Sequence, residues 1–421
     1  MTGASPRPAH GPCAGILDSV RVSVIESRRA VAIYLAAGAV FAALAARGLT
    51  VPLYAHELGA DRFQVGALFS VATLAGALLS IPSGVLIDRF GARSLFVFSI
   101  ALNAGSQLAT AATTTVFPLY IWQIAGGLAA GAQQAALFSA VTETVPRGRL
   151  GRAMGWLTFS MQAGFFLGPT VAGLLLQWID IRTDIAVTTA LMVFSIPGAI
   201  AAGNTRQSGR GLSIREPLRG LFAQRAFVPV LIGLTSATLV WGTVGAFLPI
   251  FGKEALRLPG SQVGLLLALQ AIANGVSRIP AGRLVDRARR RWPIVFVGVI
   301  AWSAATVVLG HLTGFWAPAI VLMLGTPFMA MAFVAIGVVF GDLSTGSTRG
   351  VTMGVYGTVL FLGLAAGPLV FGPVVQNVGY AAGFTACAVV AVVLALVMAA
   401  LHAEPLRRRS EAHLPPPAAG T

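Results

Sequence analysis

Ile81-Pro82-Ser83-Gly84-Val85-Leu86-Ile87-Asp88-Arg89 is met again as Ile279-Pro280-Ala281-Gly282-Arg283-Leu284-Val285-Asp286-Arg287, 198 residues further on. Gly155, Gly164, Gly168, Pro169 and Gly173 return as Gly354, Gly363, Gly367, Pro368 and Gly372 at an offset of 199. Pro52 and Glu57 return as Pro249 and Glu254 at an offset of 197, and Glu143 returns as Asp342 at 199. Anchors that keep one order while drifting by two residues mark an internal duplication.

The duplicated sequence is apolar. Of its 421 residues 56% are hydrophobic and 10% charged, where a soluble domain carries roughly a quarter charged. Uncharged runs cover 63–87, 94–142, 153–179, 292–341 and 350–403 among others. Crossing a membrane takes about 20 apolar residues, so the runs 94–142, 292–341 and 350–403 each hold two helices. They break at Thr113-Thr114-Thr115 with Pro118, between His311 and Pro318, and at Gln376-Asn377-Val378-Gly379. Lipid offers the backbone no hydrogen-bond partner, which leaves helices as the form for such runs. The expectation is an all-α integral membrane protein of twelve transmembrane helices in two pseudo-symmetric six-helix bundles, with a substrate path between them. The bundles are expected over 30–203 and 226–402, with a cytoplasmic segment 1–29, a cytoplasmic linker 204–225 and a cytoplasmic tail 403–421.

A net charge of +15 would suggest nucleic acid in a soluble protein, but here the basic residues follow topology. With residues 1–29 inside, 24 of the 29 Lys and Arg fall in cytoplasmic segments and five, Arg47, Arg62, Arg182, Lys253 and Arg257, do not. That asymmetry puts both termini in the cytoplasm of a multi-pass plasma-membrane protein and suits an anionic lipid surface. Nothing before Val31 reads as a cleavable signal. Cys13 and Cys387 sit too far apart to indicate a disulfide or thiolate site. The five histidines are scattered, and there is no phosphate-binding loop, nucleophile–base pair or metal cluster. The sequence therefore predicts no enzyme, no cofactor and no metal.

Gly84, Asp88, Arg89, Gly91 and Arg93 fit Gly-x-x-x-Asp-Arg-x-Gly-x-Arg. At every fixed position this resembles the signature loop of the major facilitator superfamily. Gly84 admits a neighbouring helix and Gly91 a tight turn of positive φ. Asp88 can face a helix N-terminus, and Arg89 or Arg93 a carboxylate such as Glu143. The resemblance implies a cytoplasmic gate made by these residues, with Asp286, Arg287 and Asp342 as second-half counterparts. The second copy has Arg289 where the later glycine belongs.

Gly155, Gly164, Gly168, Pro169 and Gly173 resemble the fifth-helix motif of the superfamily's exporters, usually proton antiporters, with Ala172 in place of one closing glycine. Gly164 and Gly168, one turn apart, are expected to close the two halves on each other at a seam, and Pro169 to bend the helix. The copy Gly354, Gly363, Gly367, Pro368 and Gly372 predicts a symmetric partner helix. Exporters of this type often carry an arginine in the fourth helix ahead of a glycine. Gln123 holds that position, ahead of Gly127.

The acidic residues all fall at helix ends, in loops or in tails, with Asp180 and Asp184 outside. Arg47 alone lies within a span; it either faces the cavity or pairs with Glu57 or Glu254. The resemblance places helices one, four, seven and ten around the cavity, which gives Tyr34, Arg47, Gln123, Gln134 and Trp241 as its lining. The resulting expectation is a secondary transporter, working as a monomer, that exports small amphiphilic molecules against protons. The alternatives are an importer or facilitator of a small organic anion held by Arg47, and a transporter-shaped receptor.

Overall fold

A computed structural model describes residues 12–80, 82–145, 150–202, 215–343 and 349–411, with the backbone alone at 12–27, 80, 84, 88, 150–152, 215–217, 349–351, 353 and 403–411. The chain ends and half of the linker expected over 204–225 lie outside the described residues.

The first half holds α1 (Pro12–Glu57), α2 (Arg62–Ser80), α3 (Pro82–Phe90), α4 (Ala92–Ala112), α5 (Val116–Thr144) and α6 (Leu150–Leu175). It ends in α7 (Ile181–Thr189), a 3₁₀ turn over Ala190–Ser195, and α8 (Ile196–Ala201). A short α9 (Arg215–Phe222) precedes α10 (Phe227–Glu254), α11 (Gly260–Arg287) and α12 (Trp292–Leu309). Then follow α13 (Trp316–Leu343), α14 (Arg349–Asn377) and α15 (Tyr380–Glu411).

Eleven crossings are long and apolar enough to span a membrane. The twelfth is α6, whose 26 residues reach about 39 Å at 1.5 Å per residue. Two six-helix bundles result. The α1 helix begins at Pro12, ahead of the expected residue 30, and its membrane-length part is Arg28–Glu57. The sixth crossing spans Ile181–Ala201 and so draws Asp184 into a helix.

The duplicated motif diverges where its glycine is lost. Gly91 has φ 86 and turns the chain sharply between α3 and α4, a conformation a side chain resists. At the second copy α11 runs through Arg287 and leaves through Ala288 at φ −75. Arg289 therefore sits on a different turn, and the turn geometry of Gly91 is not repeated.

Pairing within each half follows the glycines. On α6, a Cβ on Gly164 would lie 2.4 Å from the Gly38 carbonyl and one on Gly168 2.1 Å from the Ala42 carbonyl, both on α1. On α14, Gly367 meets the Leu239 carbonyl at 2.4 Å, while Gly242 of α10 meets the Leu364 carbonyl at 2.0 Å. Backbones this close admit only hydrogen. The central glycines thus bind α6 to α1 and α14 to α10 inside each half, and the expected seam between halves is revised. Only the last glycines cross it. Gly173 faces Gly260 and Gly264 of α11, and Gly372 faces Phe63 of α2. Gly155 and Gly354 have open space where a Cβ would project.

Candidate functional site

The halves join through α6 on α11 and α2 on α14. Gln162 Nε2 donates to Asn274 Oδ1 at 3.1 Å, and Ser70 Oγ to the Ala365 carbonyl at 2.8 Å. At the end of the bundle formed by the α1–α2 and α10–α11 turns, Glu254 gathers a cluster. Arg62 Nε donates to its Oε2 at 2.7 Å, Tyr380 donates to the same oxygen at 3.0 Å, and His56 Nδ1 lies 3.5 Å from Oε1. The Arg62 guanidinium stacks 4.8 Å from the Tyr380 ring, and its backbone N–H donates to Gln376 at 3.0 Å. His56 and Arg62 belong to the first half, and Glu254, Gln376 and Tyr380 to the second. Beside them a cavity of about 280 Å³ is lined by His56, Glu57, Asp180, Lys253 and Gly260 among others. Asp180 caps α7; the Thr183 hydroxyl and N–H hold its carboxyl below the ordinary range.

Arg47 neither lines an open cavity nor reaches Glu57 or Glu254. It is 6% exposed and points into the first half between α1, α4 and α5. Its Nη2 donates to Gln123 Oε1 at 2.5 Å and to the Trp122 carbonyl at 3.4 Å, and its Nη1 to Asn103 Oδ1 at 3.5 Å. Asn103 Nδ2 passes the chain to Gln133 Oε1 at 2.9 Å, and Gln107 Nε2 returns to Asn103 Oδ1 at 3.5 Å. Gly126 makes this possible, since a Cβ there would fall 1.8 Å from Nη1. The cation absent from position 123 is therefore delivered beside Gln123 from α1.

The expected cavity set divides. Arg47 and Gln123 are joined and buried, while Tyr34, Gln134 and Trp241 are half-buried. Trp241 meets Phe333 edge-on at 6.2 Å. Tyr34 packs against a cluster of buried apolar side chains in the first half.

Among the residues expected at the gate, Glu143 accepts from Ser139 at 2.9 Å, and Arg89 and Arg93 are exposed. Asp342 pairs with Arg291, while Asp286 and Arg287 are exposed. The side chain of Asp88 lies outside what the structure describes.

Sequence reading gave no site role to Arg62, Tyr380 and Gly126, and it did not foresee the burial of Asp184. Asp184 is fully buried, and neither carboxylate oxygen accepts a hydrogen bond among the described residues. The repeat of Glu57 as Glu254 was the one signal that pointed toward the cluster at this end. Nothing in the spacing pointed to Asn103 or Gly126.

Two six-helix bundles packed face to face, each carrying glycine-tight helix pairs, define a membrane transporter. The chain belongs to the Major Facilitator Superfamily, whose family model matches residues 33–260 and 230–420. It is 23% identical over 359 residues to an uncharacterised transporter of that type from Methanocaldococcus jannaschii, covering 82% of this chain and 90% of the relative. It is 26% identical to the class G tetracycline resistance protein of Vibrio anguillarum, over 73% of this chain and 79% of that one. It is 25% identical to a probable 4-methylmuconolactone transporter of Cupriavidus pinatubonensis, over 67% and 71%. The nucleoside transporter NupG superposes with TM-score 0.76 at 13% identity, over 89% of this chain and 99% of that structure.

Proposed function

We propose that the protein is a secondary transporter of the plasma membrane that exports small amphiphilic compounds in exchange for protons. The observation that carries the reading is the doubled Gly164/Gly168–Pro169 and Gly363/Gly367–Pro368 arrangement. It keeps α6 locked on α1 and α14 locked on α10, so that each half moves as a unit. The similarity to a tetracycline resistance protein over most of both chains agrees with it. Both termini face the cytoplasm, and the Glu254 end faces outward. The working unit is a monomer.

In this cycle the Glu254 cluster is the outer latch. Gly84, Asp88, Arg89, Gly91, Arg93 and Glu143 form the cytoplasmic gate, with Asp342 opposite. Breaking one set while the other forms gives alternating access. Movement of a compound panel into inverted vesicles, with and without a pH gradient, tests the reading. Uptake of some amphiphile that depends on the gradient is expected. In cells, a rise in accumulation on expression for every responsive compound would instead favour import.

One observation favours a second reading, uptake of a small organic anion. Arg47 is a buried cation, and one relative is a probable 4-methylmuconolactone transporter.

A further inference from the structure

We propose that Arg47 and Gln123 form a carboxylate-binding site, and that the polar end of the transported amphiphile is an anionic carboxylate. The proposal rests on the transport reading above and names its substrate class; it does not depend on the direction of transport.

The guanidinium carries five N–H donors and a fixed charge. Its surroundings supply only neutral oxygens, those of Gln123, Trp122 and Asn103, and two of the three contacts lie at 3.4 and 3.5 Å. Among the described residues no carboxylate pairs with it. Asp184, the other buried charged group of this half, accepts no hydrogen bond from it or from any other described group. A cation held out of water by neutral partners is costly, and within a membrane such a residue is a functional site by default.

The cation also fixes which way each amide faces. Arg47 takes the Gln123 carbonyl, which turns Gln123 Nε2 away. It takes Asn103 Oδ1, so Asn103 must donate through Nδ2, and Gln133 must then receive that bond through its carbonyl. The side-chain carbonyls of Gln123, Asn103 and Gln133 are spent on the guanidinium or on its neighbour, and that of Gln107 accepts from Thr189. The amide groups left over are Gln123 Nε2 and Gln133 Nε2, both buried and both without a partner among the described residues. Gln123 and Gln133 are only 4% and 2% exposed, so solvent does not satisfy them either.

The arrangement therefore has donors and positive charge in excess and acceptors in deficit. Gln123 meets the guanidinium through Oε1, so its unpartnered Nε2 donor lies one amide group away from the cation. A planar anion with two oxygens matches both at once. A neutral carbonyl or hydroxyl would fill the hydrogen bonds but leave the charge uncompensated. An inorganic anion such as chloride offers the charge without the planar pair of oxygens.

The test uses the purified full-length protein in a chloride-free zwitterionic buffer, titrated calorimetrically with benzoate, with its neutral isostere benzamide, and with chloride. Wild type is expected to bind benzoate about tenfold or more tighter than benzamide, a difference of roughly 1.4 kcal/mol. Arg47→Gln should erase that preference, and Arg47→Lys should weaken it. Gln123→Glu guards against a misfolded Arg47 variant. It is isosteric and supplies the missing counter-ion, so folded yield should hold or rise while benzoate affinity falls about tenfold. Equal binding of benzoate and benzamide, or binding of neither, overturns the proposal. So does a benzoate preference that survives in Arg47→Gln or Gln123→Glu, and so does chloride that binds and displaces benzoate. The export reading fails separately: an intact benzoate preference with no gradient-driven movement in vesicles would remove the antiport and leave the site.

Discussion

Arg62 Nε lies 2.7 Å from Glu254 Oε2, and the pair ties α2 of one half to α10 of the other. Tyr380 and His56 converge on the same carboxylate, so one side chain carries most of the polar bonding at this end. Both partners are partly exposed, which limits what the ion pair alone contributes. Glu254→Gln keeps the shape and removes the charge. A loss of about 1 kcal/mol, shifting an equilibrium roughly fivefold, is the expected scale. Spin labels at positions 58 and 257, on the turns of opposite halves, should gain a longer-distance population in the variant. An unchanged distance distribution would remove Glu254 from the latch.

Gly168 and Gly155 belong to one motif but stand in opposite environments. A methyl at 168 must displace the backbone carbonyl of Ala42, whereas one at 155 projects into open space. Overpacking of this kind costs about 1–3 kcal/mol. Gly168→Ala should lower the melting temperature and the folded yield, with Gly367→Ala behaving alike against Leu239. Gly155→Ala should leave both unchanged. Equal effects at 155 and 168 would separate the motif's spacing from its packing.

The fold was legible because its signals are local and repeated. Run length gives crossings, and the order of anchors gives the duplication. The positive φ of Gly91 follows from its motif. The seam was not legible, because periodicity says that Gly164 and Gly168 share a face but not which helix lies against that face. Arg47 shows the same limit. Its depth could be counted along α1, yet its direction depends on Gly126, a residue on another helix whose only contribution is the absence of a side chain. Counting uncharged runs put Asp184 at a helix end, where it is, but could not show that its side chain is buried there.

Asp184 lies at a helix end on the outer side, as the sequence placed it, but its carboxyl is buried. It sits in the first turn of α7, with Thr183 and Asp180 forming the cap before it. A carboxyl in the protein part of a span, without a partner, is suited to carrying a proton through a conformational cycle. Asp184→Asn preserves its volume and removes that capacity. Transport driven by a pH gradient should fall severalfold or more, while exchange of substrate down its own gradient persists. Full gradient-driven transport in the variant would assign the proton elsewhere, with Glu254 the next candidate.

Gly126 and Arg47 can be tested as a pair. Nη1 occupies the space a side chain at 126 would need, so Gly126→Ala forces the guanidinium off Gln123 and leaves a displaced cation in an apolar interior. Losing a buried charge's hydrogen bonds costs about 3–5 kcal/mol when no partner replaces them. Gly126→Ala alone should therefore sharply reduce folded yield. Arg47→Ala removes the cation and opens a space that the new methyl helps to fill. Combined with Gly126→Ala it should express better than Gly126→Ala alone, giving a coupling of about 1 kcal/mol or more in thermal unfolding. Additive effects would mean that the guanidinium moves aside freely, and would withdraw the close fit between α1 and α5 on which the binding site depends.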